Sequence, residues 1–261
     1  LDKLDDRVEY NAILINNSFA KYHSCSEAYN TELEINEARL GNILIFVHQD
    51  IAFNDNNLQK RIISELKDNP NQILGVAGMS KEGRTLSNLK YLKTGNYITI
   101  TQIADKTEVE SLDECCFAMT KDLYFKLKFD EKTCSHWHLY AVDLCYEAKR
   151  KYGIKSFVLP ESIFHKMDGS SGLTVERHFL WTIYKMTRKY HKIFSEIYTP
   201  CYIVSTYLPK TILKISRSLI KSIFSVNSFE AIVILSLLSP HPVNVETPIS
   251  NVKIKQIFFF I

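Results

Sequence analysis

The sequence predicts an α/β fold on three observations: short apolar runs of strand length, helical-period segments between them, and Gly, Asn or Pro at the junctions. The central run, Ile43 to Val47, is five consecutive apolar residues, mostly branched or aromatic, bounded by Gly41-Asn42. It is too short for a core helix and reads as a strand buried on both faces, the kind found inside a parallel sheet. The expected architecture is a mostly parallel sheet flanked by helices, with a C-terminal helical appendage.

Taken in order, Tyr10 to Ile15 reads as a short buried strand ending in Asn16-Asn17-Ser18. Ser24 to Ala38 follows as a helix, with Ser24 or Ser26 as N-cap, and Gly41 stops it. With the strand at 43–47 this makes a strand–helix–strand unit, whose strands should be parallel. Leu58 to Leu66 is a second helix, broken by Asn69-Pro70-Asn71, and Ile73 to Gly78 a further strand whose glycines allow close backbone approach. Residues 80–108 read as loop and hairpin. Val109 to Met119 reads as one strand carrying Asp113 and Glu114 before its apolar half. His136 to about Lys151 should form a helix, Ile154 to Leu159 a strand, and Phe164-His165 the last apolar step before Asp168-Gly169-Ser170-Ser171-Gly172. From Leu208 to Phe224, Ile212, Ile215, Leu219 and Ile223 recur at helical spacing against Lys210, Lys214, Arg217 and Lys221. That is a basic amphipathic helix, suited either to a membrane surface or to packing on the body with its lysines solvated.

Net charge is +3, but residues 181–225 hold eight Lys/Arg and one Glu, so the first 180 residues are net acidic. The tail therefore suits an anionic surface and the body does not, and no nucleic-acid partner is expected. Six scattered cysteines without CxxC spacing point to reduced thiols and a cytoplasmic setting. The charged N-terminus has no signal-peptide core, and no apolar window of about 18 residues predicts a membrane span.

The chemistry-bearing residues cluster at expected strand ends: His48/Asp50, Asp113/Glu114, His136/His138 with Asp143, and His165. In open α/β sheets ligands bind at the carboxyl edge of the strands. His48 and Asp50, two apart in an extended chain, point to one side. A hard divalent cation carrying a phosphate suits Asp50, and a more nitrogen-loving metal would also use His48. Solvated polar residues at a strand end are the plainer explanation of each cluster taken alone.

The pattern Ala28-Tyr29-Asn30, Gly41-x-Ile43-x-Ile45-Phe46-x-His48-x-Asp50, Leu112-Asp113-Glu114 and Trp137-His138-Leu139-Tyr140-Ala141-Val142-Asp143-Leu144-Cys145 resembles the family-2-like glycosyltransferases. The likeness is to the branch with His-Gln-Asp where most relatives carry Asp-x-Asp, and it covers roughly residues 8–195. It implies a GT-A-type fold and sugar transfer from a nucleotide-diphosphate donor, assisted by Mn²⁺ or Mg²⁺. By that resemblance Asp50 holds the metal bridging the donor diphosphate, and His165 completes the metal site beside a movable loop. His48 stands in the place of the first acid, with its ribose or metal role open. Asp143 takes the place of the general base. Trp137, His138 and Tyr140 form a sugar-facing wall, Asp113 and Glu114 lie near the acceptor or donor sugar, and Asn16 and Asn17 lie near the nucleoside. Relatives begin with an additional strand and helix, so this unit is expected to be missing, leaving sheet groups unpaired.

The expected division is a catalytic domain over 1–195 and a basic and apolar extension over 196–261. The leading expectation is an inverting transferase acting on a surface-glycan or lipid-linked acceptor, with the basic tail resting on the inner face of the membrane. The alternatives are a metal-dependent hydrolase built on His48, Asp50, His138 and His165, and a non-catalytic remnant acting as a binding module.

Overall fold

The computed structural model describes residues 8–166, 177–211 and 255–260. The first unit is strand β1 (Asn11–Asn16), helix α1 (Cys25–Ile35) and strand β2 (Ile43–His48). Ser24 caps α1 by accepting the Glu27 N–H through its side chain, satisfying one of the backbone donors a helix start leaves open. Then come β3 (Ile51–Ala52), α2 (Asn57–Asp68), β4 (Gln72–Gly75) and β5 (Ala77–Met79). Short strands β6 (Thr85–Ser87), β7 (Lys90–Tyr91), β8 (Thr107–Val109) and β9 (Ser111–Leu112) lead to β10 (Cys116–Thr120). Helices α3 (Lys121–Leu127) and α4 (Tyr140–Tyr152) precede β11 (Lys155–Val158) and β12 (Phe164–His165). Helix α5 (Arg177–Tyr190), the hairpin β13 (Glu196–Tyr198) and β14 (Ile203–Ser205), and β15 (Lys255–Phe260) complete the described elements.

The main sheet has the order β1-β15-β2-β10-β4-β11-β8. The α/β class stands, while the expected mostly parallel pairing is corrected. β1, β2, β4 and β11 do share one direction, but β4–β11 is the one parallel pair among them, and β15, β10 and β8 run oppositely. The cause lies in where β10 enters. The chain reaches it through a tight turn at Asp113–Cys115, with Cys116 opposite Val47 and Thr120 opposite Ile43. A strand that begins where β2 ends can only run back along it. The expected single strand over 109–119 is thereby broken into β9, a turn and β10.

β2 is buried on both faces, as its composition requires. Leu44 and Phe46 pack into one core with Tyr29, Phe117, Tyr124 and Tyr140, while Ile43, Ile45 and Val47 pack with Leu58, Ile62 and Leu66 of α2. Phe46 stacks on Phe117 at 4.7 Å between ring centres and meets Tyr29 edge-on at 5.1 Å. Burial of such a ring contributes roughly 1.5–3 kcal/mol. The Ile73–Gly78 segment divides at Val76 between two sheets, and its glycines are needed. A Cβ on Gly78 would lie 2.6 Å from the Ser111 carbonyl oxygen, and one on Gly75 2.7 Å from a Leu112 methyl.

The apolar residues 257–260, unexplained by the sequence, belong to β15, whose six residues pair antiparallel with β1 on one side while five pair with β2 on the other. β15 thus lies between β1 and β2 and joins them into one sheet. The amphipathic helix expected over 208–224 lies almost wholly outside the described residues, as does the Asp168–Gly172 loop. Among the described residues no helix is long and apolar enough to cross a membrane.

Candidate active site

The site is built at the edge where β2 ends. The His48 N–H donates to the Cys115 carbonyl at 2.9 Å, fastening the end of β2 to the Asp113–Cys115 turn. The turn is fixed in its own right. The Cys115 N–H donates to Asp113 Oδ1 at 2.9 Å, and the Asp113 N–H donates to the Ala77 carbonyl at 2.9 Å. The antiparallel entry of β10 is therefore what delivers two carboxyl groups to the edge that carries His48.

Beyond His48 the chain turns through Gln49 and Asp50 into β3. This strand pairs with β12, setting Ile51 opposite His165, and the Lys166 N–H donates to the Asp50 carbonyl at 2.7 Å. His165 Nε2 lies 3.4 Å from Asp50 Oδ2, while Asp50 Oδ1 is buried with no hydrogen-bond partner. A buried carboxylate oxygen with nothing to accept from is costly unless a ligand completes it. Its open lone pairs and the neighbouring imidazole fit a hard divalent cation. Among the described residues no three His, Cys, Asp or Glu side chains converge into a full metal cage. A cation at Asp50 and His165 would complete its shell with ligand oxygens and water.

Electrostatics separate the two adjacent acids. Burial, reinforced by the Asp113 charge, pushes the Glu114 carboxyl up to about 8, against backbone N–H donors of Leu139 and Tyr140. Its Oε1 is buried without a partner. At neutral pH Glu114 is therefore mostly protonated. His48 is held below the ordinary histidine value by burial, a shift that the Asp113 and Asp50 carboxylates oppose. Its Nε2 lies 2.7 Å from the Tyr140 hydroxyl.

Several residues stand elsewhere than the sequence placed them. Asp143 does not join Asp50 and His165. It is 2 % exposed on α4, with Lys189 Nζ donating to its two carboxylate oxygens at 2.9 and 2.8 Å and the Tyr190 hydroxyl donating at 2.8 Å. One turn into α4, that position faces Lys189 and Tyr190 of α5. Tyr140 is buried at 1 % exposure, with its hydroxyl at His48. Trp137 is half-buried against the main core, and the His138 ring meets Phe179 edge-on. The Asn16 side chain accepts the Ser18 N–H at the tip of β1. Asn17 closes the loop by accepting the Tyr22 N–H at 2.8 Å and donating to the Tyr22 carbonyl at 2.9 Å, which occupies its amide with loop structure.

Sequence reasoning missed Lys189 and Tyr190. The signal was present in α5, where Ile183, Met186 and Tyr190 form a buried stripe at helical spacing. Lys189 also meets Asp130 at 2.9 Å and Glu147 at 3.7 Å. Burial pulls this ammonium down, yet the surrounding carboxylates hold it above the ordinary lysine value.

The sequence matches, over residues 3–202, the model of a family described as a glycosyltransferase like family. The chain belongs to that family. No curated protein matches this glycosyltransferase-like chain. Among solved structures it is similar to one described as the crystal structure of GalNAc-T7 with UDP, GalNAc and Mn²⁺, at 11% identity and a TM-score of 0.44. That alignment covers 63% of this chain and 34% of the other, so the glycosyltransferase-like chain spans about a third of that protein's length.

Proposed function

We propose that this glycosyltransferase-like chain moves a sugar from a nucleotide-diphosphate sugar to an acceptor hydroxyl with inversion, and that the Asp50/His165 corner receives the donor's diphosphate together with Mn²⁺ or Mg²⁺. The observation that carries the reading is the Asp50 carboxylate, one oxygen beside His165 and the other buried and unpartnered, at the edge where β2 ends. A divalent cation bound there would supply charge compensation for the departing nucleoside diphosphate.

The chain's own residues divide the remaining work. Asp113, oriented by the Cys115 N–H, takes the proton from the attacking hydroxyl. Glu114 stays protonated beside it. Neutral His48, steadied by Tyr140, adds no competing positive charge and keeps the end of β2 in register with that turn. His138 and Trp137, half-buried before α4, border the acceptor side.

The acceptor proposed is a surface glycan or a lipid-linked saccharide, with the enzyme working at the inner face of a membrane. The excess of Lys and Arg over residues 181–225 supports attraction to anionic headgroups. The test is a thermal-shift panel of nucleoside diphosphates with and without Mn²⁺, since a ligand bound only by the native state raises the melting temperature. A shift that needs both metal and nucleotide and vanishes in Asp50→Asn supports the assignment. A zinc-dependent shift indifferent to nucleotides would favour a hydrolase instead, and no shift with any nucleotide would favour a binding module.

A further inference from the structure

We infer that the loop from Lys90 to Thr101 is the surface through which the protein rests on an anionic phospholipid bilayer, with Leu92, Tyr97 and Ile100 entering the lipid and Lys90 and Lys93 meeting its headgroups. This inference rests on the membrane and lipid-linked-acceptor reading given above, and it names the surface that reading needs.

Charge selects the occupant. From Gly83 to Ala104 the chain carries Arg84, Lys90 and Lys93 and no Asp or Glu, within a body that is net acidic. An anionic surface is therefore attracted to this stretch and repelled by much of what surrounds it. The same stretch exposes apolar side chains: Ile100 is 98% exposed, Tyr97 47% and Leu92 45%. A single exposed apolar residue means little. Three of them close in sequence, beside two lysines and with no acid, have the composition of a segment that lies in a membrane interface.

The local structure holds these side chains outward on a fixed frame. The Tyr91 N–H donates to the Asn96 carbonyl at 2.9 Å and the Gly95 N–H to the Tyr91 carbonyl at 2.8 Å. Gly95 takes a φ of +70° at the turn, where a side chain would be strained. Lys90 pairs antiparallel with Tyr97, and its Nζ lies 4.8 Å from the centre of that ring. Ile98 packs against the second core, with its N–H donating to the Leu89 carbonyl at 2.9 Å. The Thr99 hydroxyl donates to the Ser87 carbonyl at 2.9 Å. Ile98 and Thr99 thus anchor the loop, and Ile100 stands outside it.

The loop is also built onto the candidate site. Tyr91 stands opposite His165, and the Leu92 N–H donates to the His165 carbonyl at 3.0 Å. Lipid contact at Leu92 therefore falls beside the strand that carries the Asp50/His165 corner. A lipid-anchored saccharide has to present its hydroxyl near that corner. A basic tail tethers a protein in any orientation, whereas a loop fastened to β12 sets which edge faces the bilayer.

The test uses the full chain and phosphatidylcholine vesicles with and without phosphatidylglycerol. Ile100→Trp puts a fluorophore on the loop, and wild type supplies the baseline of Trp137 and Trp181. With phosphatidylglycerol present, the added emission should shift to the blue and be quenched by brominated acyl chains. Ile100→Ser should weaken co-sedimentation with these vesicles about tenfold or more, the loss of one branched side chain from lipid. Lys90→Ala with Lys93→Ala should also weaken it about tenfold or more, the loss of two charges near an anionic surface. Both variants should melt like wild type. Wild-type binding that both variants retain in full, with no blue shift in Ile100→Trp, overturns the role of the loop and leaves membrane attachment to the tail. Failure of wild type to bind phosphatidylglycerol vesicles removes the loop and the membrane reading together.

Discussion

Asp143→Asn and Asp50→Asn should fail in opposite ways, and the contrast tests the whole division of labour at this site. The Asp143 side chain is 3% exposed and the Lys189 ammonium 19%. Asparagine keeps one acceptor but removes the charge and turns an NH₂ donor toward a donor. Breaking a buried pair by removing one partner costs about 3–5 kcal/mol. Lys189 retains Asp130 and Glu147, so the lower end, about 3 kcal/mol, applies. For a chain of this size that lowers the melting temperature by about 6–12 °C. Asp50→Asn removes a carboxylate that meets His165 only at 3.4 Å and whose other oxygen has no partner among the described residues, so the melt should stay within about 3 °C of wild type. Metal-dependent transfer should nevertheless be lost. Melting curves by circular dichroism and radiolabelled sugar transfer, normalised to folded protein, separate the two. If Asp143→Asn melts like wild type while turnover falls a thousandfold, the buried ion pair is not its main role and the general-base assignment returns to Asp143.

Four further outcomes follow from the same geometry. Asp113→Asn should lower kcat by about 10²–10⁴-fold with little change in donor affinity, read by steady-state kinetics; a changed KM at constant kcat would contradict a base. Glu114, raised to about 8, binds a proton in the folded state that the unfolded chain has released between about pH 4.5 and 8, so stability falls as pH rises through that window. Glu114→Gln should flatten this slope in melts from pH 5 to 8.5, while an unchanged slope would refute the burial argument. Asp130 is held down to about 2, with burial opposed by hydrogen bonds from Lys189 and Thr133, so its contribution is present above about pH 4 and lost as pH falls toward 2. Asp130→Asn should therefore blunt acid unfolding in that range. Gly78→Ala, whose new methyl would sit 2.6 Å from the Ser111 carbonyl oxygen, should destabilise by about 1–3 kcal/mol in urea melts.

Some of this was legible in the residues alone. The five-residue run at Ile43–Val47 announces a strand buried on both faces, and Ser24 announces the start of a helix, because burial pattern and capping are local properties of a few neighbours. Family resemblance likewise resides in short strings such as His48-Gln49-Asp50 and Leu112-Asp113-Glu114. Even the separation of His48 from the far-off His165 gave no difficulty in principle, since strand ends collect at one edge.

Only the tertiary structure decided which neighbours those elements acquire. Periodicity reports that Asp143 lies on a helix, yet its partner Lys189 is 46 positions away, and no local rule assigns one to the other. The reversed entry of β10, which brings Asp113 to His48, depends on a turn whose direction the alternation of apolar residues does not encode. The pairing of Phe258 with both Ile13 and Phe46 joins segments more than two hundred residues apart. An amino-acid sequence fixes what each stretch needs to bury or to pair, but the closure of the chain determines which distant stretch satisfies it.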